Sequence, residues 1–368
     1  MAEAADRTFM QRALALAERA RGNTKPNPMV GAVVVRNGNV VGEGYHHRAG
    51  TDHAEVLALK QAGKKAAGAT IYVTLEPCCH VGNTPPCTNA LIAAGIKRVV
   101  IPNSDPDPRV KGRGIRVLRK AGIQVDSGVL RREAERLNDI YFGFKRNNRP
   151  YVILKSAQSL DGRIATAGGD SKWITGPEAR KIGHEYRRDV DGIVVGMGTV
   201  RADNPSLTVR HVRGANPYRI IATTSGRFPR RCNLLQQNQD FRTIVATTGP
   251  VIEKLSRRKN AGGLIFWEVG VERDGLLSVA DIVARAGEFG LQSLLVEGGA
   301  ALATSFWKAQ LVDKYLAFIA PRIIGDGRAA VGELEIRKVA GAIKLARPEI
   351  EPCGADFLYT AYPEFERQ

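Results

Sequence analysis

Aromatic side chains are scarce in this chain of 368 residues, only 6% of the total. A surface that stacks successive nucleic-acid bases interleaves aromatics with cations. That shortage tells against nucleic acid as a partner, despite a formal net charge of +17 and a sequence pI near 9.9. Acidic residues are also short, 37 against 54 Lys and Arg. The basic residues are nevertheless scattered, and the densest runs, Arg230-Arg231 and Arg257-Arg258-Lys259, are brief. Such a distribution fits small phosphorylated ligands or simple solubility. No apolar run approaches the roughly 20 residues a membrane span needs, which excludes a membrane partner. Residues 1–21 lack the basic start and apolar core of a signal peptide. Cysteines number five, with three crowded into 78–87 and Cys232 and Cys353 standing alone. That pattern excludes a disulfide framework and points to a reducing, cytoplasmic setting and a metal site.

What is present is ordinary globular material, 43% hydrophobic and 25% charged. The length suggests two domains. Lys145-Arg146-Asn147-Asn148-Arg149-Pro150 is polar and ends in proline, which sets the expected boundary: one domain over 1–147, another over 150–368. No repeat links the halves.

In the first half, Asp6 is expected to cap a helix running to about Arg21. Val30–Val35 and Val40–Tyr45 flank Asn37-Gly38, a hairpin signal. His53–Ala62 reads as a helix with His53 and Glu55 in its first turn, followed by a strand at Ile71–Leu75. Later elements are a helix at Thr88–Ala94, a strand at Val99–Ile101, a helix at Gly114–Ala121, a strand at Ile123–Val125 and one closing helix over Leu130–Phe144. Alternating strands and helices imply an α/β layered sheet.

His53-Ala54-Glu55 and Glu76-Pro77-Cys78-Cys79-His80-Val81-Gly82-Asn83-Thr84-Pro85-Pro86-Cys87 carry the chemistry. One imidazole and two thiolates hold zinc and leave a position for water, while a nearby glutamate moves protons. His-x-Glu followed by Pro-Cys-x-x-Cys is the signature of zinc deaminases, here stretched to Pro-Cys-x8-Cys. Two alternatives stand beside it. One is a nucleic-acid deaminase with an appended binding module. The other is a structural zinc site closed by His80 as fourth ligand.

The stretch from Glu76 to Cys87 resembles the bifunctional deaminase–reductases of riboflavin biosynthesis, whose pattern is Glu-Pro-Cys-x-His and then Gly-x-Thr-Pro-Pro-Cys. The resemblance implies an N-terminal cytidine-deaminase-like α/β/α layered domain. It makes His53, Cys78 and Cys87 the zinc ligands and Glu55 the proton shuttle, with Cys79 a bystander. It also assigns Asn27, His46 and His80 to the substrate pocket, and extends to Asp105-Pro106-Asp107-Pro108 and Gly112-Arg113-Gly114. Two positions depart from the family: Asn83 where a cation is usual, and Asp107 where Asn is usual. Lys111 or Arg113 are candidates to replace the cation.

In the second half, strands are expected at Tyr151–Ala157, Ile193–Val195, Arg219–Ala222, Thr243–Thr247, Ser293–Val296 and Lys314–Ile319, with a helix from Pro177 to about Arg187. Further strands are expected near Ala342–Leu345 and Phe357–Ala361, and Ala320–Gly327 as a loop. Gly196-Met197-Gly198 lacks the third glycine of a dinucleotide fingerprint, since residue 201 is Arg. Gly298-Gly299 between strand and helix suits either a phosphate at the helix start or a plain tight turn.

Lys155-Ser156-Ala157-x-Ser159-Leu160-Asp161-Gly162, Ser171-Lys172-Trp173-Ile174-Thr175-Gly176 and Val296-Glu297-Gly298-Gly299 resemble the reductase domain of the same family. This implies a dihydrofolate-reductase-like α/β domain that uses NADPH. By position, the cofactor site takes Ala157, Trp173, Thr199, Asp203, Thr224, Gly299, Ala300, Ala301, Leu302, Ala303, Thr304 and Ser305. The substrate side takes Ser171, Arg187, Ser206, Arg210 and Glu297, with Lys155 beside the reacting sugar. The implied reaction is deamination of a phosphoribosylated diaminopyrimidinone, then hydride transfer from NADPH to its opened ribosyl group. Lys155, Glu297 and solvent remain open as proton donor. Family analogy also implies a homo-oligomer, dimer or tetramer.

Overall fold

A computed structural model describes residues 2–82, 84–258 and 263–365. The chain divides into two compact units, Met1–Asn148 and Arg149–Gln368. The departure at Asn83 and the end of the basic run at Lys259 lie outside the described residues.

The first unit contains α1 (Ala2–Glu18), β1 (Gly31–Arg36), β2 (Asn39–Tyr45), α2 (Ala54–Ala62), β3 (Thr70–Val73), α3 (Cys87–Ala93), β4 (Arg98–Ile101), α4 (Arg113–Lys120), β5 (Gln124–Ser127), α5 (Arg131–Leu137) and α6 (Asp139–Asn147). Its strands form one sheet in the order β2-β1-β3-β4-β5. β1 runs antiparallel to both β2 and β3, while β3, β4 and β5 are parallel. β1 is apolar on both faces. Ala32 and Val34 join Ala54 and Ala58 of α2 and Leu91 of α3, whereas Val33 and Val35 join Met10 and Ala13 of α1. A sheet covered on both sides needs such continuous apolar strands.

The Asn37-Gly38 turn has φ of 50° and 75°, as a two-residue hairpin of the primed type requires. Beyond it, Gly42 and Gly44 share one face of β2, because strand side chains alternate. A Cβ on Gly42 would sit 2.2 Å from Ala58 O, and one on Gly44 2.5 Å from Ala54 O. Only a bare backbone there lets α2 lie against the strand. That contact fixes where His53, the N-cap of α2, and Glu55 in its first turn are held.

Two expectations fail in this unit. Asp6 is not a helix cap: α1 begins at Ala2, and the Asp6 carboxylate is buried inside the helix. It accepts Arg98 Nη1 and Nη2 at 2.9 and 2.7 Å and Tyr72 Oη at 2.7 Å. The closing helix is two helices, α5 and α6, parted at Asn138. The Asn138 side chain exchanges two hydrogen bonds with the Met29 backbone, at 2.8 and 2.9 Å. This tertiary partner holds Asn138 at φ −118°, outside helical geometry.

The second unit contains β6 (Tyr151–Ser159), β7 (Arg163–Thr166), α7 (Pro177–Asp189), β8 (Gly192–Gly196), α8 (Met197–Asp203), β9 (Tyr218–Ala222), α9 (Asn233–Gln236), β10 (Thr243–Thr247), α10 (Gly249–Ser256), β11 (Ile265–Glu268), α11 (Val279–Glu288), β12 (Ser293–Val296), α12 (Ala300–Lys308), β13 (Lys314–Ala320), β14 (Gly327–Ala329), β15 (Lys344–Cys353) and β16 (Asp356–Glu364). The large sheet has the order β11-β10-β9-β8-β12-β6-β13-β16-β15. It is parallel from β11 to β13, and β16 and β15 add an antiparallel edge. The core packs α11 and α12 on one face, through Ile282, Val283, Phe306 and Trp307 against Val152, Val194, Ile220 and Val296.

Strand order dictates the site. The chain leaves β6, passes to β8, walks outward to β11 and returns to insert β12 between β6 and β8. At such a reversal the connections leave the strand ends on opposite sides, which opens a crevice beyond their carboxyl ends. β12 runs there into Glu297-Gly298-Gly299, β8 into α8, and β6 carries Lys155 towards the same end. The tail strands are longer than expected, because β15 and β16 pair across most of their length.

Candidate functional site

In the first unit the metal donors arrive on two helix starts and one strand end. His53 caps α2, Cys87 is the first residue of α3, and Cys78 follows β3 closely. His53 Nδ1 lies 3.1 Å from Cys87 Sγ and 3.6 Å from Cys78 Sγ. The Cys87 backbone N–H donates to Cys78 Sγ at 3.3 Å. The three donor atoms lie within 4.8 Å of one another, a spread that bonds of about 2.0–2.1 Å to nitrogen and about 2.3 Å to sulfur can bridge. Among the described residues no other group of His, Cys, Asp or Glu gathers this way, and neither His80 nor Cys79 joins it. The donor set fits zinc with an open position and does not fit a closed four-ligand site.

Electrostatics follow from the contacts. The Cys87 thiol beside it lowers the Cys78 thiol to about 4, with help from His53 and against its burial. The partner shifts the other way: Cys87 is raised by Cys78 and by burial. Cys78 in turn raises the His53 imidazole. Glu55 is buried at 3% exposure, and burial, then the Cys78 sulfur, pushes its carboxyl up to about 6. It hydrogen-bonds the Cys87 thiol, so it stands beside the donor set without belonging to it.

Asn27 and His46 stand beside this cluster. Asn27 Nδ2 is 3.1 Å from His46 Nε2, and the His46 ring meets the His53 ring edge-on at 5.2 Å. Burial pulls the His46 imidazole down. His80 Nδ1 is buried without a hydrogen-bond partner among the described residues.

Sequence reasoning missed three supports. Thr84 Oγ1 lies 3.3 Å from His53 Nε2; with Nδ1 turned to the sulfurs, Nε2 carries the proton and donates it there. Glu76, quoted only as part of a motif, accepts three backbone N–H groups: Asp105 at 3.0 Å, Gly112 at 2.9 Å and Ile115 at 3.1 Å. It thereby ties the Cys78 loop to the 105–112 loop and the start of α4. Asp107 is not left bare by its departure from the family. Arg109 Nη2 at 2.8 Å and Lys145 Nζ at 3.0 Å pair with it. Glutamate followed two residues later by cysteine was the visible signal for the Glu76 anchor; the Lys145 partner left none.

In the second unit the crevice at β12 gathers charge. Arg187 Nε and Nη2 grip Glu297 at 2.7 and 2.8 Å, and Nη1 reaches Thr208 O at 3.3 Å. Burial works against the Glu297 charge, but Arg187, then Lys155, prevails and lowers its carboxyl to about 2. Burial lowers the Lys155 amine, with Glu297 opposing; its Nζ also sits 5.6 Å over the Phe318 ring. Exposed Arg210 lies in the field of Arg187 and Glu297.

The other expected residues fall around this crevice or near it. Gly299 caps α12 and donates its N–H to Thr199 Oγ1 at 3.1 Å. Its neighbour Gly298 has no room for a side chain, since a Cβ would meet Leu302 at 2.6 Å. Ala300, Ala301 and Leu302 open the helix, where the first backbone N–H groups have no helical acceptor; Ala303 N already bonds Gly299 O at 3.1 Å. Thr304 and Ser305 hydroxyls donate back to Ala300 O and Ala301 O at 2.7 and 3.1 Å. Ala157 lies on β6 opposite Phe318. Ser171 Oγ donates to Asp203 at 3.5 Å, and Lys172 Nζ stands 3.8 Å from the same carboxylate. Trp173 is 64% exposed under the Arg180 guanidinium at 4.6 Å, so it is not a core residue. Thr224 is exposed just past β9, and Ser206 is half-buried after α8. A bare α12 start at a topological reversal fits a pyrophosphate-bearing cofactor.

Asp161 also gains a role. It accepts Ser159 Oγ at 2.5 Å and the Ile324 and Gly325 N–H groups at 3.1 and 2.7 Å, docking the 320–327 loop onto β6.

Replacing Glu76 by Gln removes one acceptor while keeping the shape. Support of this kind typically sets metal affinity by 10–100-fold. The expected result is at least a roughly tenfold weaker zinc affinity by competition with a chromogenic chelator. An unchanged affinity would show that the 105–112 loop does not hold the Cys78 segment.

Comparison with known proteins matches both halves of the chain. A family described as the cytidine and deoxycytidylate deaminase zinc-binding region matches residues 3–102. A family described as the RibD C-terminal domain matches residues 150–359. Riboflavin biosynthesis protein RibD of Aquifex aeolicus is 44% identical over 354 residues, spanning 96% of this chain and 97% of that protein. The Escherichia coli protein of the same name is 41% identical over 369 residues, with 95% and 97% covered. A solved Acinetobacter baumannii RibD superposes with a TM-score of 0.83 at 35% identity, covering 99% of this chain and 100% of that one. A Thermotoga maritima diaminohydroxyphosphoribosylaminopyrimidine deaminase/5-amino-6-(5-phosphoribosylamino)uracil reductase does so with a TM-score of 0.84 at 35% identity and the same coverage. This chain therefore belongs to the RibD family of riboflavin-biosynthesis proteins, joining a zinc-dependent deaminase to an NADPH-dependent reductase.

Proposed function

We propose that the chain deaminates 2,5-diamino-6-(5-phosphoribosylamino)pyrimidin-4(3H)-one and then reduces the ribosyl group, giving 5-amino-6-(5-phosphoribitylamino)uracil. The deaminase domain is taken as 1–147 and the reductase domain as 150–368. The observation that carries the first step is the His53, Cys78 and Cys87 cluster with buried Glu55 beside it.

For deamination, His53, Cys78 and Cys87 would hold the zinc, which when bound would supply Lewis-acid activation of water near neutral pH. Glu55 accepts the proton of that water at its carboxylate and returns it to the departing amine. Its raised pKa suits both directions of transfer, because a carboxyl near 6 exchanges protons easily at neutral pH. Asn27, His46 and His80 orient the ring, with the unpartnered His80 Nδ1 free to meet it.

For reduction, NADPH supplies the hydride. Its site is formed by Ala157, Trp173, Thr199, Asp203, Thr224 and the Gly299–Ser305 segment. Substrate meets Ser171, Ser206, Arg210 and the pair of Arg187 and Glu297. Among the three candidate proton donors Lys155 is the one assigned. Glu297 is held ionised by Arg187 and has no proton to give near neutral pH. Burial lowers the Lys155 amine, so that its ammonium form is a stronger acid than an exposed lysine and a better donor to the oxygen formed in reduction.

The small-molecule reading extends to partners and place. Among the described residues no helix is long and apolar enough to cross a membrane. All five cysteines are free, which suits the reducing cytoplasm. The chain is assigned there as a homo-oligomer, dimer or tetramer, on family analogy.

Four outcomes follow. Glu55→Gln should retain zinc and lose deamination while reduction of the deaminated compound persists; full deamination with zinc bound would overturn the assignment. Reduction requires protonated Lys155, so its rate should fall as pH rises through a pKa below the ordinary lysine value of about 10.4. Lys155→Ala should abolish reduction and spare deamination, and equal loss of both activities in folded protein would count against independent sites. Analytical ultracentrifugation should give a multiple of the 39.9 kDa chain mass, and a monomer at micromolar concentration would exclude the oligomer.

A further inference from the structure

Arg187 presents a difficulty for a simple two-arginine phosphate clamp. Each nitrogen of its guanidinium already has a partner, on Glu297 or on Thr208 O. The cation left facing outward is Arg210, at the end of a segment that bears strain. Leu207 sits at φ 51° although it is not glycine, and its side chain is buried at 2% exposure. A branched residue held there must be over-determined by its surroundings.

The fastenings are few and visible. Arg187 Nη1 donates to Thr208 O, and Val209 N donates to Asn216 Oδ1 at 2.9 Å. The last is His184, one turn before Arg187 on α7. Its Nδ1 accepts the backbone N–H of Arg210 at 3.2 Å. The His184 ring is buried at 5% exposure and meets the His211 ring edge-on at 4.6 Å.

We propose that His184 is a positioning residue of the reductase: its Nδ1 fixes the 207–210 segment so that Arg210 presents its guanidinium beside the Arg187–Glu297 pair to the substrate phosphate. The role requires an unprotonated Nδ1, and the surroundings supply one. Burial first, then Arg187, Arg210 and His211, hold the imidazole down to about 4, so the ring is neutral with its proton on Nε2. A neutral acceptor adds no charge to a cationic pocket, and the Arg210 guanidinium, which makes one 3.4 Å bond from Nη1 to Thr208 Oγ1, keeps donors for an anion.

The inference rests on the reading that Arg210 meets the phosphate, and the experiment separates the two. The probes are the deaminated phosphoribosylamino uracil and its dephosphorylated ribosyl counterpart. His184→Phe keeps the ring volume and removes the acceptor. His184→Asn puts an amide oxygen at the same distance from the backbone as Nδ1. For the phosphorylated probe, His184→Phe should raise KM about tenfold with kcat within about twofold, as loss of one ordering hydrogen bond implies. His184→Asn should recover most of that change. For the dephosphorylated probe, KM should not differ between wild type and His184→Phe, and deamination should be normal throughout.

An unchanged KM in His184→Phe, an equal defect in His184→Asn, or an equal rise with both probes would overturn the proposal. Should the Phe variant fail to fold, His184→Ala takes its place against His184→Asn on the same criteria. Arg210→Ala tests the underlying reading. If it leaves the phosphorylated-probe KM unchanged, the phosphate reading of Arg210 falls. If Arg210→Ala raises KM and His184→Phe does not, only the role of His184 falls.

Discussion

Helix starts set at the carboxyl ends of strands are the constraint on which both units depend. A helix N-terminus carries unpaired N–H groups and about half a positive charge. In the first unit it receives thiolates and a carboxylate: Cys87 opens α3 and donates its N–H to the Cys78 sulfur, while Glu76 accepts the first N–H groups of α4. In the second unit the same feature, at α12, faces the crevice where the sheet reverses direction. The chemistry differs, but each site gathers negative charge where backbone dipoles already favour it. Gly42 and Gly44 belong to this constraint, because without their missing side chains α2 could not deliver His53 to the cluster.

Local signals were legible and distant ones were not. The Asn37-Gly38 hairpin, the start of α2 at His53 and six of the seven parallel strands of the second unit, all but β11, are each written within a few residues, as turn chemistry, capping position or apolar run. Asp6 was misread because its satisfying partner, Arg98, is 92 residues away. The break at Asn138 depends on Met29, 109 residues away. A polar residue near a helix end is ambiguous from sequence, since it can cap its own helix or bond another segment. The metal set was readable because ligand identity and order survive without geometry. Thr84, Glu76 and His184 were not read as supports, because a second-rank partner is defined by its distance to a functional atom and by little else.

The crevice of the second unit shows why that distinction matters for function. A buried ion pair such as Arg187–Glu297 adds little net stability, because desolvation offsets much of the attraction. What it does fix is geometry and charge state. Bound to Arg187, Glu297 stays ionised, which removes it as an acid and holds Lys155 within an anionic field. Bonded to Glu297 and Thr208 O, Arg187 is also part of the frame on which the 207–210 segment hangs. Arg210 is an exposed cation at the end of that segment. A strongly basic chain is compatible with a small substrate in this way: most of its cationic charge is dispersed, and what a single guanidinium contributes depends on how the backbone that carries it is held.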